Sequence, residues 1–199
     1  QKYHMTFDKT KEENLEQKIL NNQAHHWEST FSARPKMFGS SPSTAAVKAA
    51  ETYKNAGLTS ILELGAGQGR DTIFFAQNGF HVQALDYSQS GVESIIKQAQ
   101  ILGLDQRIAV NIHDVRKPLP FKNESFDGCF SHMLYCMALT KKELVYLSNE
   151  SNRVLIHGGI NIYTVRHTGD SDYETGIHRG EELYESGGFI VHFFSKEKI

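Results

Sequence analysis

The sequence predicts an α/β protein built on a doubly wound, mostly parallel sheet with flanking helices. Three observations predict it. Short apolar runs alternate with amphipathic stretches from residue 60 onward, glycines stand where helices should stop, and one apolar run leads straight into a glycine-rich loop and another helix. Strands are expected at 60–64, 81–86, 108–111, 126–131 and 161–165. Helices are expected at 71–78, 90–102 and 141–155, with Gly79, Gly103 and Gly158 as their C-terminal stops.

The segment before the first strand is of a different kind. From Asp8 to about Phe31 it is polar, with apolar residues at Leu15, Ile19, Leu20, Trp27 and Phe31, which suits a helix lying on the domain. A loop with Pro35 and Gly39 follows. Ser41-Pro42 then reads as an N-cap and first helical position for a helix over 45–56 that stops at Gly57. Residues 1–57 are thus an N-terminal helical or lid segment of the same domain, and 58–199 the main body. Within that body, 166–188 is rich in Gly, Asp, Glu, His and Tyr and reads as an irregular or weakly helical insert. The first four residues look like a cloning remnant, with Met5 as the native start.

Composition narrows the function. The chain has 199 residues and a formal charge of −2, with its lysines and arginines scattered among acids, so a nucleic-acid partner is not expected. No apolar run approaches the ~20 residues of a membrane span, and no secretory signal opens the chain, so no membrane partner is expected. The two cysteines, Cys129 and Cys136, fall in an apolar segment and read as buried free thiols of a reducing, cytoplasmic protein. The ten histidines show no His-Glu-x-x-His spacing, and there is no Cys-x-x-Cys, so no metal is expected.

The densest local signal is Ile61-Leu62-Glu63-Leu64-Gly65-Ala66-Gly67-Gln68-Gly69-Arg70-Asp71. In an open parallel sheet the ligand crevice lies beyond the carboxyl ends of the strands, where this loop falls, and glycines let a ligand lie against bare peptide. The glycines stand as Gly-x-Gly-x-Gly rather than Gly-x-Gly-x-x-Gly, which favours a nucleoside ligand over a pyrophosphate. Asp86 ends the second strand 21 positions after Gly65, where a carboxylate can accept both ribose hydroxyls. The third strand leads to His113-Asp114-Val115, whose acid can accept from an exocyclic amine. The fourth runs from Phe126-Asp127-Gly128-Cys129-Phe130-Ser131 into His132-Met133-Leu134.

Taken in order, these motifs resemble those of class I S-adenosylmethionine-dependent methyltransferases over about 60–165. Gly-Gln-Gly-Arg-Asp is similar to the tellurite-resistance and thiopurine types, small-molecule branches of that family. The resemblance implies a Rossmann-like fold, S-adenosyl-L-methionine as cofactor and a small-molecule acceptor. It implies that Gly65, Ala66, Gly67 and Gly69 line the methionine and ribose side and that Glu63 orders the loop from beneath. Asp86 would hold the ribose, Tyr87 would lie against the adenine, and Asp114 and Val115 would border the base. Ser131 would offer its carbonyl near the methionine ammonium, and Arg70 could pair with the methionine carboxylate.

The sulfonium methyl is already labile, so alignment and exclusion of water supply most of the acceleration and no base is required. His132 is the nearest candidate base in sequence, against the plainer reading of a structural histidine. Tyr173, His178, Arg179 and Tyr184 of the 166–188 insert are candidate acceptor contacts, because loops at strand ends carry specificity. Trp27, Phe31, Met37 and Phe38 form a group ahead of the first strand that reads either as plain packing or, as the resemblance implies, as a lid over the cofactor.

Other readings compete. A non-catalytic nucleoside-binding regulatory module would bind cofactor without transferring methyl, a methyltransferase acting on a protein would share every motif, and a nicotinamide oxidoreductase is disfavoured by the glycine spacing. The Asn-Pro-Pro-Tyr motif of amino methyltransferases is absent after the fourth strand. The family usually closes its sheet with two more strands, one antiparallel, whereas only 189–194 is available here before Ser195, which looks like a helix cap. Either the chain continues past Ile199 or it departs from that pattern. An uncovered fifth strand could pair with another copy, leaving monomer and homodimer both open.

Overall fold

The computed structural model describes residues 16–199. The presumed cloning remnant, the Met5 start and the 8–15 part of the N-terminal helix lie outside the described residues. A helical stretch at 16–21 leads into α1 (Gln23–Ala33), and α2 (Thr44–Asn55) precedes β1 (Ser60–Leu64). Then follow α3 (Arg70–Gln77), β2 (His81–Asp86), α4 (Gln89–Ile101), β3 (Ile108–Ile112), β4 (Phe126–His132), α5 (Lys141–Val154) and β5 (Leu155–Thr164). These five strands form one parallel sheet in the order β3-β2-β1-β4-β5. The predicted α/β fold is therefore observed, and the strand order reverses between β1 and β4, where a ligand crevice opens in such sheets.

Strand alternation divides the core into two layers. Leu62 and Leu64 of β1 pack with Cys129 of β4 and with Leu144, Leu147 and Val154 of α5. Ile61 and Phe130, one residue out of phase, pack on the opposite face with Ala46, Ala50 and Tyr53 of α2 and with Phe75 of α3. Tyr53 crosses that layer to donate its hydroxyl to the Cys129 carbonyl at 2.6 Å. Burial pushes the Cys129 thiol up to about 12 and the Cys136 thiol up to about 11, and both cysteines are free.

Four expectations need correction. The N-cap of α2 is Ser43, not Ser41, and its hydroxyl accepts from the Ala46 amide at 3.0 Å. Ser43 prevails because Asp71 holds it in place, accepting from its amide and from its hydroxyl at 2.7 Å each. Gly158 does not stop a helix: α5 passes directly into β5, and Gly158, with φ +80°, lies where the pairing jumps from Phe126–Leu155 to Gly128–Ile160. The extra residues are absorbed there as a bulge.

The 166–188 insert is irregular over 166–176, as expected, but the rest of it is neither irregular throughout nor helical. It contributes β6 (Ile177–His178) and β7 (Leu183–Ser186) to an antiparallel sheet of three with β8 (Phe189–His192). Gly187 and Gly188, both at positive φ, make the β7–β8 hairpin. Finally, β8 belongs to this small sheet and does not extend the main one, and Ser195 precedes only a 3₁₀ turn, Lys196–Lys198.

The Ser43–Asp71 contact gives a stability test. Ser43→Ala removes a helix cap and one donor to a buried carboxylate, and should cost about 1–3 kcal/mol in chemical denaturation. Ser43→Thr, which keeps the hydroxyl, should recover most of the loss.

Candidate active site

A cavity of about 210 Å³ opens at the carboxyl ends of β1, β2 and β4. Gly65, Ala66, Gly67, Gly69 and Arg70 line it along the loop after β1, and Asp86 and Tyr87 line it at the tip of β2. Asp114 and Val115 follow β3, His132 ends β4, and Glu63 reaches it from within β1. Ten of the eleven residues assigned to the cofactor are thus brought together, along with His132. The exception is Ser131, which does not line the cavity. Alternation along β4 turns its neighbour His132 to the opening and leaves the Ser131 side chain wholly buried with its hydroxyl unpartnered.

The loop is shaped by its backbone. Gly65, Gly67 and Gly69 have φ of 68°, 57° and 90°, a region that residues with a Cβ rarely adopt. Asp86 ties the loop to the next strand, accepting from the Gly67 amide at 2.7 Å through one oxygen and from the Ser88 amide at 2.9 Å through the other. Each oxygen keeps a lone pair, so a ligand diol facing the cavity still finds an acceptor. Burial pushes the Asp86 carboxyl up to about 6 against the lowering effect of those two amides.

Glu63 lies beneath the loop as expected. Thr72 donates to it at 2.6 Å, and burial, with Asp71 and Asp86 close by, drives its carboxyl well above the usual range. Asp114 departs from its expected part. Arg116 grips both of its oxygens, with contacts of 3.0 and 2.7 Å, and holds it ionised against the cost of burial. An amine reaching Asp114 must therefore share that carboxylate with a guanidinium. Arg70 donates to the Phe38 carbonyl at 3.3 Å and stands over the Phe38 ring, so it supports the lid segment from the cavity side.

Trp27, Phe31 and Phe38 line the cavity, whereas Met37 serves through its backbone, donating to the Gln68 side chain at 2.8 Å. Gln68 also donates to the Phe31 and Arg34 carbonyls, so one side chain of the glycine loop fastens both ends of the covering segment. Sequence reasoning treated Gln68 as a spacer and missed it. It also missed Glu28 of α1, which accepts from the hydroxyls of Ser88 and Ser90 and from the Ser90 amide at the start of α4. No sequence signal links residues 60 positions apart. Gly91 was passed over as a helical residue, yet a Cβ there would lie 2.5 Å from the Gly67 carbonyl oxygen.

The four insert residues are not in this site. Tyr173 and Tyr184 pack edge-on against each other and against Phe193, His178 stacks on Tyr184, and Arg179 is paired with Glu185. They are internal contacts of the small sheet, and none lines the cavity. That sheet acts from behind the wall instead: Leu183 and Ile190 pack on Leu20 and Ala138, both of which line it. Among the described residues no cluster of three or more His, Cys, Asp or Glu could hold a metal, and no helix is long and apolar enough to cross a membrane.

Residues 61–159 match a family model described as a methyltransferase domain. They form a class I S-adenosylmethionine-dependent methyltransferase domain. S-adenosylmethionine is the cofactor that such a domain takes, and the bare loop with the Asp86 carboxylate beside it on the cavity wall fits an adenosyl group. Over 94 residues the chain is 37% identical to phosphoethanolamine N-methyltransferase 3 of Arabidopsis thaliana, covering 46% of this chain and only 16% of that protein.

Solved structures share the fold at lower identity. A SAM-dependent methyltransferase from Methanosarcina mazei superposes with a TM-score of 0.61 at 21% identity, covering 70% of this chain and 74% of that one. The CcbJ methyltransferase from Streptomyces caelestis gives 0.61 at 19%, covering 74% and 59%.

Two tests follow for the methyltransferase domain. Gly91→Ala keeps ordinary helical backbone but drives a methyl into the Gly67 carbonyl, so cofactor affinity measured by calorimetry should fall at least ~10-fold while the protein stays folded. The folded-state value of Asp86 is raised, so its contribution to stability is present below the ordinary value of 3.8 and lost as pH rises through about 6. Ribose hydroxyls prefer the ionised carboxylate, so cofactor affinity should rise over that same window, and Asp86→Asn should abolish the dependence.

Proposed function

We propose that the protein transfers the methyl group of S-adenosylmethionine to a small-molecule acceptor by in-line displacement. The observation that carries this is the cavity lined by the Gly65–Gly69 backbone, by the Asp86 carboxylate bonded to the Gly67 amide, and by His132, Trp27, Phe31 and Phe38. When bound, the cofactor supplies an activated methyl. The chain's own residues supply the rest: Asp86 orients, the glycine loop lets the ligand lie against bare peptide, Glu63 stiffens the loop from below, and Trp27, Phe31 and Phe38 keep water out.

A small acceptor is favoured over a protein one because the segment that Gln68 fastens places Trp27, Phe31 and Phe38 on the cavity wall, where they narrow it. The covering part of residues 1–57 then acts as the lid of the same domain. The Gly-Gln-Gly-Arg-Asp phrase supports a small-molecule branch akin to the tellurite-resistance and thiopurine types. Two free, buried cysteines support a reducing, cytoplasmic setting. The reading as a non-catalytic binding module shares the cavity and differs only in outcome.

Titration with S-adenosylmethionine at up to ~1 mM should show saturable binding, weakened at least ~10-fold in Asp86→Asn. Absence of binding at that concentration would overturn the proposal. Binding without S-adenosylhomocysteine formation across thiols, amines, phenols and alcohols would favour the regulatory module.

A further inference from the structure

His132 lines the cavity at the tip of β4, and its register partner on β5 is Thr164. The ring Nδ1 and the Thr164 Oγ1 are 2.7 Å apart. That hydroxyl also accepts from the Met133 amide at 3.0 Å, a contact set up by the left-handed turn at Met133, φ 64°. Met133 can only donate, and among the described residues Nδ1 is the other partner of Oγ1. Oγ1 has a second lone pair that could take an Nδ1–H, but only the arrangement in which the hydroxyl donates gives the Thr164 hydrogen a partner among the described residues, and in it Nδ1 presents its lone pair. In a neutral imidazole the remaining proton then sits on Nε2. Among the described residues Nε2 has no hydrogen-bond partner, so the ring offers the cavity an N–H and not a base.

The other groups around the cavity do not replace it as a base. Glu63 is bound by Thr72, Asp71 by Ser43, Asp86 by the Gly67 and Ser88 amides, and Asp114 by Arg116. His113 stands at the tip of β3, three strand spacings or roughly 14 Å from β4. The charged groups nearest His132 are Asp71, already held by Ser43, and Arg70. Burial and Arg70 both disfavour the imidazolium while Asp71 opposes them, and the net effect keeps the ring neutral at neutral pH.

Resting on the methyltransferase reading, we propose that His132, its tautomer fixed by Thr164, selects acceptors that ionise before they bind and donates Nε2–H to the anionic acceptor atom. The acceptor's proton leaves to solvent beforehand. Its lone pair then forms the bond to the methyl carbon as the methyl–sulfur bond breaks, and that pair stays on sulfur. Alkylamines and alcohols, which bind protonated, find no group to take their proton. Specificity here is for a protonation state.

Four probes test this on the full chain: 4-nitrothiophenol and 4-nitrophenol as acidic acceptors, benzylamine and benzyl alcohol as non-acidic ones. The two acidic probes should be methylated at least ~10-fold faster, and the pH midpoint of kcat/KM should move when 4-nitrothiophenol is exchanged for the less acidic thiophenol. His132→Gln, which keeps an N–H near the Nε2 position, should retain activity within ~10-fold, whereas His132→Ala should lose about 100-fold.

An activity-independent readout is the ¹⁵N spectrum of the His132 ring, which should report the Nε2–H tautomer and lose that signature in Thr164→Val. Faster transfer to benzylamine, a midpoint fixed whichever probe is used, an inactive His132→Gln or an Nδ1–H tautomer would each overturn the proposal. Cofactor binding without transfer to either acidic probe would do so as well. Failure to bind S-adenosylmethionine would instead overturn the methyltransferase reading beneath it.

Discussion

One buried carboxylate organises the ligand end of this domain. Asp86 receives the Gly67 amide from the loop after β1 and the Ser88 amide from the turn into α4, so two connections that diverge from adjacent strands are pinned to one side chain. The arrangement carries a cost. Burial disfavours the charge, and two amide donors only partly offset it. A carboxylate so placed is stiff, because either movement of the loop or rotation of the acid leaves a buried polar group unpaired. The close approach of Gly91 to the Gly67 carbonyl secures the same loop from the other side, so its shape is set before any ligand arrives.

Much of this was legible in the sequence because it depends on local pattern. The five strands follow from apolar runs whose alternation matches the two core layers, and Gly57, Gly79 and Gly103 end helices with positive φ as expected. Asp86 was found through its distance from Gly65. What was missed depends on contacts between distant segments. Asp71 moves the start of α2 from Ser41 to Ser43, Arg116 alters the part that Asp114 can play, and Glu28 caps a helix 60 residues away. The 166–188 insert defeated the reading for another reason. Its strands have two and four residues, too few for a period to declare itself, and they are held by aromatic packing of Tyr173, Tyr184 and Phe193.

The small sheet nevertheless bears on the cavity, through backbone atoms no side-chain pattern could reveal. The wholly buried His192 gives its Nδ1–H to the Leu139 carbonyl at 2.5 Å, while its amide bonds the Cys136 carbonyl at 2.9 Å. Its Nε2 in turn accepts from Lys198, which is paired with Glu182. Burial and the Lys198 cation keep this ring neutral against the opposing pull of Glu181 and Glu182. The stretch that carries Met137, Ala138 and Leu139 along the cavity wall is thereby clamped from behind. Gln23 joins the same sheet to α1, donating to the Gly188 carbonyl and accepting from the Ile190 amide.

These contacts explain how a cavity with four carboxylates on its wall can be preorganised. Each acid is satisfied by the protein itself, through a hydroxyl at Glu63, a serine amide and hydroxyl at Asp71, two amides at Asp86 and a guanidinium at Asp114. None needs a ligand to complete its hydrogen bonding, so none has to reorient when a ligand enters, and the reorganisation cost of binding is small. His132 obeys the same rule on one nitrogen and breaks it on the other. Thr164 satisfies Nδ1, and Nε2 is left with a donor and no recipient. The same wall also leaves His113 Nε2 without a partner among the described residues, and because β3 and β4 are three strand spacings apart the two open nitrogens face different parts of the cavity.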